Sequence, residues 1–307
     1  MTSHSRADDS GDRPFRSGFV SFVGRPNVGK STLTNALVGE KVAITSSKPQ
    51  TTRRAIRGIV NRPDAQLVIV DTPGVHRPRT LLGERLNAVV EETLASVDVI
   101  GMCFPADEKV GPGDRFIVER IEGAPRAKKV AIVTKTDTAS RTAVAEQLLA
   151  VSALRDWDAI IPISAAKGRQ LDDLVDELVK LLPESPQLYP TGQLTDEATI
   201  DRIAEFVREA VLEEAREELP HSLAVTVDDM VEREDKDLVE IYANLFVERD
   251  SQKAIVIGRG GARLKQIGAD ARAQIEGLLG RKVFLSIHVK VAKDWQSDPK
   301  QLGRLGF

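Results

Sequence analysis

Gly24-Arg25-Pro26-Asn27-Val28-Gly29-Lys30-Ser31 is a complete G-x-x-x-x-G-K-S stretch. It follows the apolar run Phe19-Val20-Ser21-Phe22-Val23 and precedes the helical run Thr32-Leu33-Thr34-Asn35-Ala36-Leu37-Val38. Strand, loop and helix in that order form the context in which such a stretch cradles phosphate. Gly24 and Gly29 let the backbone curl so that its N–H groups point at a β-phosphate, and the helix N-terminus adds a positive dipole there. Lys30 is placed to reach β/γ oxygens, and the Ser31 hydroxyl to serve a Mg²⁺ site. The stretch predicts a nucleoside triphosphate site without choosing the base.

Outward from this loop, strand-like runs at 19–23, 55–60, 66–70, 97–103, 129–133 and 159–162 alternate with helical runs at 29–38, 81–95, 113–122, 140–151 and 170–182. That alternation predicts a doubly wound, mostly parallel α/β sheet with ligand loops at the carboxyl ends of the strands. Residues 18–182 are read as this domain, behind a polar, flexible extension at 1–17. Pro183, Pro186 and Pro190 mark a linker over 183–196. A second domain over 197–307 follows: an acidic amphipathic helix from Glu197 to Glu218 ahead of Pro220, strands near 222–232 and 238–249, the apolar segment Ala254–Ile257, a glycine turn, a helix over 262–279 and a final strand. In that strand Val283, Leu285, Ile287, Val289 and Val291 share one face.

The 307 residues are 41% apolar and 29% charged, the composition of a folded globular chain. One cysteine, Cys103, excludes an internal disulfide; its apolar neighbours mark a buried, inert thiol. No run approaches the ~18 apolar residues of a membrane span.

Companions of the phosphate loop choose the nucleotide. Leu67-Val68-Ile69-Val70-Asp71-Thr72-Pro73-Gly74 is an apolar strand ending in an acid. Asp71 is placed to hold Mg²⁺ through water and the Gly74 N–H to meet a γ-phosphate. Thr134-Lys135-Thr136-Asp137 resembles the N-K-x-D guanine motif of GTPases, with threonine in the asparagine position as in dynamin-like enzymes. The Asp137 carboxylate accepts from guanine N1–H and its 2-amino group, donors that adenine lacks. Lys135 lies against the base plane, while Thr134 keeps a hydroxyl but gives up the amide's two-sided bonding. Ser164-Ala165-Ala166-Lys167 matches the S-A-K element whose backbone contacts guanine O6; by itself Ser164 also reads as a helix N-cap. In translation-factor-like GTPases the stretch Thr45–Arg53 is the first switch, in which a threonine closes on Mg²⁺ and the γ-phosphate. Thr52 is the first choice for that role and Thr51 the second. Val75 stands where Ras-like enzymes carry a water-orienting glutamine, which predicts slow intrinsic hydrolysis. Asn27 matches the asparagine that binds K⁺ in several such GTPases.

In the second domain, Ile257-Gly258-Arg259-Gly260-Gly261-Ala262-Arg263-Leu264-Lys265 carries a G-x-x-G turn opening a helix, the arrangement with which KH domains clamp single-stranded nucleic acid. Ile255, Ile257, Leu264 and Ile267 are read as the apolar floor beneath the bases. Between Lys253 and Lys293 there are nine Lys/Arg and two acids, in a chain of net charge −3. Such a basic island is the footprint of a nucleic-acid surface.

A translation-factor-like GTPase domain followed by a type II KH domain resembles the Era family of ribosome-assembly GTPases. The resemblance covers nearly the whole chain and rests most on Gly24–Ser31, Gln50-Thr51-Thr52-Arg53, Asp71–Gly74, Gly258–Gly268 and the tail with Trp295, Leu302 and Phe307. It departs at Thr134 and in the N-terminal extension. It implies GTP/GDP and Mg²⁺ as ligands, with Lys30, Thr52 and Gly74 catalytic and Ser31, Thr52 and Asp71 around the metal. The nucleotide would further contact Arg25, Pro26, Asn27, Val28, Thr32, Thr72 and Pro73. As partners it implies 16S rRNA near its 3′ end and the assembling 30S subunit. It also implies a cytoplasmic protein with peripheral association at the inner face of the cell membrane. The chain is read as a monomer.

Overall fold

The computed structural model describes residues 14–46, 51–74, 78, 80–214 and 222–307. The first domain is a six-stranded sheet in the order β2-β3-β1-β4-β5-β6. Its strands are β1 (Arg16–Val23), β2 (Ile56–Asn61), β3 (Ala65–Asp71), β4 (Val99–Pro105), β5 (Lys128–Thr134) and β6 (Ala159–Pro162). Every pairing is parallel except β2 with β3. Every residue of β3 and β4 is buried, because helices cover both faces of a parallel sheet and each face needs apolar side chains. Helices α1 (Lys30–Val38) and α5 (Leu171–Leu181) cover one face; α2 (Leu81–Ser96), α3 (Pro112–Ile121) and α4 (Arg141–Ser152) cover the other. The edge strand β2 is shorter of apolar residues and exposes Arg57.

The second domain stacks α6 (Thr199–Glu214), α7 (Asp250–Ile257) and α8 (Ala262–Leu279) on a three-stranded sheet, β7 (Ala224–Arg233), β8 (Leu238–Val247) and β9 (Lys282–Val291). β7 and β8 are antiparallel, β8 and β9 parallel. The alternating face of β9 packs into the core with Ile203, Val207, Ile241 and Ala271. The expected helix over 197–218 is described from Thr199 to Glu214; its end, with Pro220, lies outside the described residues, as does Val75.

The proline-rich segment after Leu182 packs against the first sheet. Ser17 Oγ donates to the Pro186 carbonyl at 2.6 Å. Gln66, buried at the base of β3, accepts from the Leu188 and Tyr189 N–H groups at 2.9 Å each and donates to the Tyr189 carbonyl. The side-chain amide at the start of β3 thereby satisfies backbone groups of the proline-rich segment.

Apolar contacts join the domains at two places. Ile44 of the first domain sits in the core of the second beside Ile203 and Phe206. At the other end, the chain after β9 turns through Trp295–Ser297 into a short α9 (Pro299–Arg304), N-capped by Asp298. Trp295, Leu302 and Leu305 there pack against Leu82 and Leu86 of α2.

Candidate nucleotide site and nucleic-acid interface

β1 delivers Gly24 against β4 so tightly that a Cβ there would lie 2.8 Å from the Cys103 carbonyl oxygen. Asn27 and Gly29 are left-handed, at φ 63° and 96°, and Gly29 hands the chain to α1 at Lys30. Lys30 is buried, and its Nζ crosses the loop to donate to the Gly24 and Arg25 carbonyls at 3.1 and 2.9 Å. Burial pushes this ammonium below its usual range. The Arg25 side chain turns away from the loop to Asp114 (2.8 Å) and Glu108 (2.9 Å), bracing it against α3. Pro26, Asn27 and Thr32 are exposed, while Val28 is buried.

Beside the lysine, Ser31 Oγ donates to Asp71 Oδ2 at 2.8 Å and Thr52 Oγ1 donates to the same oxygen at 3.1 Å. The two hydroxyls are 3.3 Å apart. Asp71 is wholly buried, which pushes its carboxyl up, while Ser31, Lys30 and Thr52 pull it back. Its Oδ1 is buried with no hydrogen-bond partner among the described residues. A carboxylate with one oxygen shared by two hydroxyls and the other without a partner matches the oxygen-only preference of Mg²⁺. The residues present therefore fit that ion. Thr51, by contrast, directs its hydroxyl to the Ser46 carbonyl at 3.4 Å. Thr72 and Pro73 are buried next to Asp71, and Gly74 is partly exposed.

The base-side residues come from the carboxyl ends of β5 and β6. Thr134 is buried and its hydroxyl donates to the Val28 carbonyl at 2.7 Å. Lys135 is left-handed at φ 55°. The Ser164 hydroxyl donates to Asp137 Oδ1 at 2.6 Å, holding that carboxyl below its usual range. Ser164 also caps the turn Ala165–Lys167 through the Lys167 N–H; cap and carboxylate partner are the same side chain. Cys103 lies wholly buried under the loop, its thiol pushed up to about 12 by burial.

Between α7 and α8, Gly258, Gly260 and Gly261 all take positive φ. Arg259 and Gly260 are exposed at the tip. Arg263 reaches back to the Ile255 carbonyl at 2.8 Å, locking the turn, while Lys265 is exposed. The apolar floor needs one correction: Ile267 is 1% exposed and belongs to the domain core, because it faces the sheet from α8. Ile257 and Leu264 pack partly against that core, and Ile255 stands exposed.

Sequence reasoning missed the bonds between the Thr52 segment and the second domain. Arg208 of α6 donates to the Thr51 carbonyl, Arg53 donates to the Leu223 carbonyl, and Arg54 pairs with Asp201 at 2.6 Å. Glu209 accepts from the Thr45 N–H at 2.8 Å and pairs with Lys41. The only sequence signal was the density of arginine beside Thr52.

Residues 19–136 match the family described as a 50S ribosome-binding GTPase, and residues 218–296 match the KH domain. A GTPase Era from Leifsonia xyli subsp. xyli is 74% identical over 294 residues, covering 95% of this chain and 99% of the relative. One from Streptomyces coelicolor is 59% identical, covering 98% of each. Among solved structures, Aquifex aeolicus Era bound to GDP and AlF4⁻ superposes with a TM-score of 0.91 at 35% identity, covering 95% of this chain and 99% of that one. An Era in complex with MgGDPNP and nucleotides 1506–1542 of 16S ribosomal RNA gives 0.90 at 35% identity and the same coverage. Fold, loop and turn thus define a P-loop GTPase joined to a KH domain. The chain belongs to the Era family and is a GTP hydrolase.

Proposed function

We propose that this chain binds GTP in the loop Gly24–Ser31, hydrolyses it to GDP and phosphate, and uses the nucleotide state to set how its KH surface grips the 3′ end of 16S rRNA in the assembling 30S subunit. The observation that carries the reading is Thr52: its hydroxyl shares Asp71 with Ser31, while the carbonyl before it and the guanidinium after it are bonded to the second domain. A segment that closes on a γ-phosphate therefore pulls on the KH domain directly.

Roles follow from position. Lys30 would exchange its two loop carbonyls for β/γ oxygens of the substrate, and the Gly74 N–H would meet the γ-phosphate. Ser31, Thr52 and Asp71 would hold Mg²⁺, which neutralises charge on the phosphates. Asp137 would read guanine N1–H and the 2-amino group, with Ala165 and Ala166 offering backbone N–H groups to O6. Asn27 would place K⁺ at the loop, so turnover should be faster in KCl than in NaCl. With valine at 75, no side chain there orients water, and hydrolysis without a partner is slow. Gly258–Gly261, with Arg259, Arg263 and Lys265, would hold the RNA backbone. The relative solved with the 3′ fragment of 16S rRNA supports this choice of RNA.

Two full-length variants test it. Lys30→Ala should lose GDP binding and bind RNA with the affinity of the nucleotide-free wild type. Gly261→Asp should do the reverse; an added Cβ meets none of the described residues within 4 Å, but φ is 79°, so Gly261→Ala serves as the control that carries the backbone strain without the charge. Unchanged affinity of Gly261→Asp for an RNA of the 3′ end of 16S rRNA would refute the KH assignment. Crosslinking to ribosomal particles with GTP or GDP bound then maps the site.

A further inference from the structure

The two limbs of the phosphate loop are held by different means. The inner limb begins at Gly24, fixed by its close approach to the Cys103 carbonyl of β4. The outer limb runs through Arg25, Pro26 and Asn27, and the last two are exposed. Its anchor is the Arg25 side chain. Arg25 Nε donates to Asp114 Oδ1 at 2.8 Å, and Nη2 meets Glu108 Oε2 at 2.9 Å. Gly113 leaves room for the crossing stem, since a Cβ there would lie 3.0 Å from Arg25 Cδ. Glu108 is half exposed, so water screens its share. Asp114 is 1% exposed and fixed by its own helix: its Oδ2 accepts from the Gly111 N–H at 2.8 Å, at the start of α3. A buried carboxylate held at both oxygens is a rigid post for the limb.

We propose that Asp114 is a positioning residue for GTP hydrolysis, fixing the outer limb of the phosphate loop through Arg25. Pro26 has no N–H, so the next backbone donors of this limb are those of Asn27 and Val28. Donors placed in advance against phosphate oxygens stabilise charge that redistributes as the γ-phosphoryl departs. A limb set loose can still close on bound GTP, but it no longer holds its donors where the transition state needs them. Asp114 thus acts on rate more than on affinity. This rests on the reading that the loop Gly24–Ser31 takes GTP.

The test is a split between rate and affinity, measured on the full chain. Asp114→Asn keeps an oxygen for the Gly111 N–H and loses the charge that holds Arg25. Its single-turnover hydrolysis of bound GTP should slow about tenfold, while affinity for a non-hydrolysable GTP analogue stays within about threefold of wild type. Arg25→Gln cuts the same link from the loop side and should slow the reaction by a similar factor. It carries the test if melting curves show that Asp114→Asn does not fold. The double variant should be no slower than either single one, because one link is broken twice. An unchanged rate in Asp114→Asn overturns the proposal, as do losses that multiply in the double variant. A loss of affinity as large as the loss of rate overturns it too, leaving Asp114 a structural brace alone. Lys30→Ala keeps the underlying reading separate: tight GTP binding without the lysine would refute the phosphate site itself. Loss of binding there beside a full-rate Asp114→Asn would refute only the link through Arg25.

Discussion

The Arg53 guanidinium lies 5.9 Å from the centre of the Trp295 ring and donates to the Leu223 carbonyl. Arg53 is 2% exposed and Trp295 wholly buried, and Trp295 stacks on Phe307 with centroids 5.6 Å apart. A cation buried against an aromatic face is held by electrostatics that water does not dilute. The residue after Thr52 is therefore fixed by the tail of the KH domain. If Thr52 moves on nucleotide exchange, as proposed, the movement would reach that tail through one peptide unit.

Arg53→Ala should thus break communication more than binding. GDP affinity is expected to stay within about threefold of wild type, the span of a side chain that does not touch the ligand. The difference in RNA affinity between GTP-analogue and GDP forms should shrink toward none. Trp295→Ala removes the same contact and a large buried ring, and should cost about 3–5 kcal/mol of stability in denaturant unfolding. A preserved nucleotide effect in Arg53→Ala would show that coupling runs elsewhere.

Asp71→Asn separates stability from function. Among the described residues the buried carboxylate keeps one oxygen without a hydrogen-bond partner, a cost to the ligand-free protein that a bound cation would relieve. The neutral amide should raise the melting temperature of the nucleotide-free protein at pH 7. The same change should make GTP binding insensitive to added Mg²⁺, whereas wild type should bind GTP more tightly when the ion is present. Calorimetry with and without the ion reads both effects; a lowered melting temperature would count against the strained carboxylate.

Much of this was legible in the residue string because the first domain is built from local signals. Val68–Val70 and Val99–Phe104 are continuous apolar runs that only a strand covered on both faces needs. The loop and its companions Asp71, Asp137 and Ser164 lie at strand ends, where the doubly wound fold gathers ligand contacts. The interdomain clasp was not legible. Arg53, Arg208 and Glu209 look like ordinary solvated charges, and their burial follows only from two domains meeting face to face. Ile267 shows the converse error: helical spacing beside a glycine turn does not say which face of α8 meets the sheet.

Ser164 gives Asp137 an acid tolerance that can be measured. Only the ionised carboxylate accepts from both guanine donors, so GDP binding must weaken as pH falls through the pKa of Asp137. The Ser164 hydroxyl holds that pKa below the usual aspartate range. Wild-type affinity should therefore persist further into acid than that of Ser164→Ala, whose acid limb shifts to higher pH. Binding measured across the acid range decides it; superimposable profiles would remove Ser164 from base recognition.

Glu197 stands at the start of the second domain, half-buried between Asp196, Asp201 and Glu205, with Arg54 as the facing cation. Arg54 already pairs with Asp201 at 2.6 Å. Burial, then the neighbouring acids, pushes the Glu197 carboxyl above its usual range. A carboxyl raised on folding favours the folded state when protonated, so its ionisation costs stability. That cost is absent below the unfolded pKa, grows through the window between the two values and is complete above the folded one. Glu197→Gln removes it, and should raise the melting temperature at pH 7 while leaving it unchanged in strong acid. Paired melts at the two pH values check the sign, and a variant less stable at pH 7 would mean that Arg54 serves Glu197 rather than Asp201.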